Sequence, residues 1–64
     1  MENSIYNMYS DLEQLIVNSM SDATKFANGN NSAGTRVRKA MQEVKSIAQQ
    51  IRVEVQEQKN GIPV

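Results

Sequence analysis

From Ile5 onward the apolar residues return every three or four positions, through Met8, Tyr9, Leu12, Leu15, Ile16, Met20, Ala23, Phe26 and Ala27. The spacing resumes at Ala33 and continues through Val37, Ala40, Met41, Val44, Ile47, Ala48, Ile51 and Val55. A 3.6-residue period gathers such residues on one side of an α-helix, whereas a strand would require alternation. Between the two series stands Gly29-Asn30-Asn31-Ser32, a run of turn and capping residues. Two amphipathic helices broken once are therefore predicted.

The ends of these helices can be read from their chemistry. Asn3 or Ser4 is placed to cap the first helix by accepting a bond from an orphan backbone N–H. Asn28-Gly29 closes it, because glycine takes the left-handed conformation without a Cβ penalty. Asn30, Asn31 and Ser32 offer an N-cap for the second helix. That helix is expected to stop at Asn60-Gly61, with Pro63 forbidding continuation. In the second helix the repeat is close to seven. With Val37 at position a, Val44, Ile51 and Gln58 share its column, Met41, Ala48 and Val55 form column e, and Gln42, Gln49 and Gln56 form column f. Such regularity suits helix packing against helix along the whole length.

The expected fold class is thus all-α: one domain over residues 1–64, an antiparallel hairpin with helices at about 4–27 and 32–59. A hairpin buries one stripe per helix. Tyr9, Ile16, Met20 and Ala23, with the e column, should remain partly wet in a monomer. A chain of 64 residues without cysteine lacks both disulfides and thiolate metal sites as supports. Self-association into a four-helix bundle, or docking on a larger assembly, is the expected source of further stability. Asp22, Glu54, Ser19 and Gln58 fall on the seam, where polar groups can set register.

The composition argues against catalysis. Histidine is absent, so a serine or threonine hydroxyl lacks its usual activator, and the seven carboxylates are dispersed. No cofactor or metal site is expected. The N-terminus lacks the pattern of a signal peptide, and no apolar run approaches the roughly 18 residues of a membrane span. A cytoplasmic location and no membrane partner are expected.

Net charge is zero, seven basic against seven acidic residues, yet the distribution is polarised. Residues 1–24 carry four acids and no base, whereas residues 25–45 carry Lys25, Arg36, Arg38, Lys39 and Lys45 against Glu43 alone. Arg38, Lys45, Arg52 and Lys59 form one heptad column, position b. Antiparallel pairing about the turn is expected to neutralise much of that ladder, setting Glu13 near Lys45, Asp11 near Lys45 or Arg52, and Glu2 near Lys59. Asp22 should approach Arg36 or Arg38. At the turn itself Lys25, Arg36, Arg38 and Lys39 meet only Asp22, beside a helix start whose free N–H groups favour an anion. Asn30, Asn31 and Thr35 add neutral donors, and guanidinium, ammonium and amide groups are the set that contacts phosphate. The candidate nucleic-acid-binding residues are Lys25, Asn30, Asn31, Thr35, Arg36, Arg38, Lys39 and Lys45. No aromatic residue is expected beside the tip, and so no base stacking.

The run 29–52, GNNSAGTRVRKAMQEVKSIAQQIR, resembles the histone H1-like Hc1 family of bacteria. Its chlamydial members have a similar acidic and apolar first helix, a Gly-Asn turn with small residues after it, and an Arg-Val-Arg triplet opening the second helix. Short Bacteroidetes proteins called histone H1 share the GTRVRK core. The resemblance covers roughly residues 5–59 and is most specific at Gly29-Asn30 and Arg36-Val37-Arg38. It implies a nucleoid-associated, DNA-binding protein. The chlamydial proteins continue into a Lys/Ala-rich tail, whereas this sequence closes on Asn60-Gly61-Ile62-Pro63-Val64. Weak, salt-sensitive binding to DNA or RNA backbone is therefore expected, at the nucleoid or on a ribonucleoprotein. The alternative is a helical adaptor, ribosome-associated or part of a phage assembly, that binds protein through its apolar seam.

Overall fold

The computed structural model describes residues 4–61, and these form two helices, α1 (Ser4–Ala27) and α2 (Asn31–Gly61). They pack side by side as an antiparallel hairpin measuring 54 × 19 × 11 Å between Cα extremes. The anticipated end of α1 at Ala27 holds, and the helix is already formed at Ser4, the first described residue. In α2 the helix begins one residue earlier and extends two residues further, taking in Asn60 and Gly61.

The turn is built as the residue types dictate. Gly29 has φ +100°, a conformation that costs an L side chain roughly 1–2 kcal/mol. The reversal is closed by main-chain bonds from Gly29 N–H to the Phe26 carbonyl at 2.9 Å and from Asn30 N–H to the Lys25 carbonyl at 3.0 Å. Asn30 is the residue that caps α2: its Oδ1 accepts the Ala33 N–H at 3.1 Å. At the other end of α1, Ser4 lies within the helix and its hydroxyl is engaged across the hairpin, so it is not a cap; Asn3 lies outside the described residues.

The seam follows a three–four alternation on both helices. On α1 the partly buried residues are Ile5, Met8, Leu12, Leu15, Ser19 and Asp22. On α2 the series runs Ala33, Val37, Ala40, Val44, Ile47, Ile51, Glu54 and Gln58, which is the a/d seam of an antiparallel coiled coil. Among the described residues only Ala33 and Ile51 are buried. Two helices cannot surround a side chain, and this core is correspondingly thin.

Polar contacts close the seam at both ends. Near the turn, Arg36 Nε donates to Asp22 Oδ1 at 2.8 Å. At the open end, the Ser4 hydroxyl donates to Glu54 Oε1 at 2.6 Å, and Gln58 Nε2 donates to the same oxygen at 3.2 Å. These bonds, the Ser4 one foremost, hold the Glu54 carboxyl below its ordinary pKa. Seam-position Asp22 and Glu54 thus each bond across the hairpin. Both pairs join residues whose numbers add to 58, which sets the alignment of the helices.

Candidate nucleic-acid interface

The turn end gathers seven of the eight candidate nucleic-acid-binding residues. Lys25 occupies the last turn of α1, and Asn31, Thr35, Arg36, Arg38 and Lys39 lie in the opening turns of α2, with Asn30 just before them. Lys45 does not belong to this group. It stands seven residues beyond Arg38, about 10 Å further along the helix.

The eight are not equally available for contact. Arg36 is committed through Nε to Asp22, so one of the tip charges is neutralised and that guanidinium is partly structural. The Asn30 side-chain oxygen is occupied by the cap. Lys25, Arg38 and Lys39 are exposed and make no ion pair among the described residues. Thr35, Arg38 and Asn31 line a shallow groove of about 470 Å³ together with Phe26, Gly34 and Val37.

Phe26 corrects the expectation of a tip without aromatics. Its ring is half exposed and lies against Gly34, so closely that a Cβ there would come within 2.6 Å of two ring carbons. Gly34 is therefore the platform on which the last seam residue of α1 rests. The signal was present in the sequence: Phe26 is the next step in the α1 seam series, and an antiparallel hairpin brings that step beside the start of α2.

The basic ladder also departs from expectation. Among the described residues the Asp22–Arg36 contact is the one ion pair; Glu13, Asp11, Lys45 and Arg52 form none. The reason is heptad position. Glu13 and Lys45 stand level on the two helices, but both occupy position b, on the outer edges of the hairpin, and Asp11 occupies the opposite flank. The pairing of Glu2 with Lys59 lies outside the described residues. Arg38, Lys45, Arg52 and Lys59 thus form an exposed ridge along α2.

Among the described residues no three acidic side chains converge as a metal site, and no helix is long and apolar enough to cross a membrane. In comparison with known families, residues 6–61 match the model of histone H1-like protein Hc1. No curated protein and no solved structure matches the chain.

Proposed function

The chain belongs to the histone H1-like Hc1 family, and from that premise we propose that it binds the nucleic-acid backbone through its turn end, without sequence specificity. Histone-like proteins act by binding DNA rather than by catalysis, and the bacterial nucleoid is the corresponding location. The observation that carries the reading is the trio Lys25, Arg38 and Lys39, exposed and unpaired among the described residues, in the last turn of α1 and about two turns into α2. Phosphate contacts position a protein on a duplex without reading its bases, and ammonium, guanidinium and free helix-start N–H groups supply them. The Asn31, Thr35 and Arg38 groove adds neutral donors beside the same charges. RNA presents the same backbone and is the second substrate to be tested.

The test is a triple replacement, Lys25→Gln with Arg38→Gln and Lys39→Gln, titrated against a labelled duplex and a labelled RNA by fluorescence anisotropy. About three phosphate contacts give a wild-type slope near −3 in log K against log salt. The triple variant should retain its helicity by circular dichroism and lose affinity at least tenfold, with a shallower slope. Unchanged affinity would remove the turn from the interface. The adaptor reading is favoured by a different observation, the exposed apolar side chains described next, and it predicts association insensitive to salt.

A further inference from the structure

One flank of the hairpin is apolar and the other polar, a division produced by heptad position. In an antiparallel pair the e positions of both helices share a flank, with the b positions along its outer edges. Tyr9 and Ile16 of α1 and Met41 and Val55 of α2 stand at e; Tyr6 and Met20 stand at b of α1. All six are between 38 and 75 % exposed. The g positions on the other flank, including Asp11, Asn18, Lys25, Arg36, Glu43 and Glu57, are polar.

We propose that a second copy of this chain covers the apolar flank, stacked about a two-fold axis parallel to the helices. Each α1 then lies antiparallel on the other copy's α2, and both turns sit at one end. Three observations select this occupant and this arrangement. First, a hairpin with two buried side chains among the described residues is short of core, and a face of 54 × 19 Å is of the size that supplies the roughly 800 Å² per partner of a stable interface. Second, an isologous two-fold contact closes on itself, so the flank is used up without open polymerisation.

Third, the edges of the flank are complementary in this stacking alone. The register that joins Ser4 to Glu54 and Asp22 to Arg36 puts Arg52 level with Tyr6, Lys45 level with Glu13, and Arg38 level with Met20. Within one hairpin these pairs are separated by its full width. About the axis parallel to the helices, they become neighbours between copies: a guanidinium beside a phenol ring, an ammonium beside a carboxylate, an aliphatic stem beside a thioether. The perpendicular axis instead stacks α2 on α2 and sets the ridge of Arg38, Lys45, Arg52 and Lys59 against its own copy, where like charges repel. In the arrangement proposed, the unpaired tip cations of both copies collect at one end.

The proposal stands apart from the nucleic-acid reading and is tested without nucleic acid. The chain has no cysteine, so Asn28→Cys accepts a single nitroxide at the turn. Pulsed dipolar spectroscopy on the labelled protein should give a distance of about 20–30 Å, set by helix spacings of roughly 10 Å plus the label arms. A distance at or beyond the 54 Å long dimension would mean turns at opposite ends and overturn the arrangement. Sedimentation should show a dimer; a monomer throughout the micromolar range, or affinity for another protein only, would overturn the proposal. Charge exchange supplies a second readout. Glu13→Lys and Lys45→Glu should each weaken dimerisation about tenfold, and the double exchange should restore it to within about threefold. Failure of the double exchange to recover affinity refutes the pairing.

Discussion

Replacing Gly29 with alanine isolates one torsion angle. The position has φ +100°, and a Cβ added there meets nothing within 4 Å, so the change introduces neither clash nor contact. What remains is the cost of holding an L residue at positive φ, roughly 1–2 kcal/mol, less the smaller gain from a stiffer unfolded chain. A net loss of about 1 kcal/mol should lower the melting temperature of a chain this size by about 4–8 °C. Gly61→Ala is the matched control. It also has open space around it, but it is helical with no positive φ, so the sign reverses and stability rises by a few tenths of a kcal/mol. At 64 residues the chain is accessible to synthesis, and D-alanine at position 29, which favours positive φ, should stabilise. Thermal and urea unfolding followed by circular dichroism at fixed protomer concentration measure all three. Equal losses with L- and D-alanine would refute the torsional argument, because the cause would then be the added methyl group.

Other perturbations have equally definite signs. Asn30→Ala removes the α2 cap and should cost about 1 kcal/mol by urea unfolding, while Asn30→Asp should retain most of it. Glu54 has a folded pKa below its ordinary 4.5, so its contribution is complete above that value and is lost as pH falls through the folded pKa. An acid titration of stability should therefore be shallower below about pH 5 in Glu54→Gln than in wild type; identical curves would exclude Glu54 as a contributor. Gly34→Ala drives Phe26 off its platform, since the added Cβ would stand 2.6 Å from the ring. The Phe26 ring resonances should shift in NMR spectra while helicity is kept, and unchanged resonances would show that the ring has no fixed seat there.

Most of the fold was legible because each helix carries its own seam and each end its own stop. Ile5, Leu12, Leu15 and Ser19 on one side and Val37, Val44 and Ile51 on the other state the period without any knowledge of the partner helix. Gly29 states the reversal. What was not legible depended on angle around the axis rather than position along it. Glu13 and Lys45 are level, as adding their numbers suggests, yet they point to opposite outer edges, and a linear pairing rule does not distinguish facing from merely level residues. Phe26 was overlooked at the tip for a related reason: read along α1 it is one more seam residue, and its neighbour Gly34 is supplied by the other helix. The division of labour among the tip cations, with Arg36 bound to Asp22 and Arg38 facing the groove, likewise required the third dimension.

The common register of the interhelical contacts has a consequence for how the chain acquires its structure. Asp22 and Arg36 are 14 residues apart, whereas Ser4 and Glu54 are 50 apart. Closing the longer loop first would cost about 1 kcal/mol more in chain entropy than closing the shorter one. Contacts are therefore expected to form in order from Gly29 outward, each shortening the loop that the next must close, on the microsecond scale of helices and hairpins. Phe26 on Gly34 and Arg36 on Asp22 lie at the start of that sequence, and Ser4 with Glu54 at its end. A turn that assembles first should also open last, so the residues proposed to meet nucleic acid are expected to hold their places when the far end of the hairpin opens; hydrogen exchange slower at the turn than at Ser4 and Glu54 is the expected sign, and the reverse order would refute it.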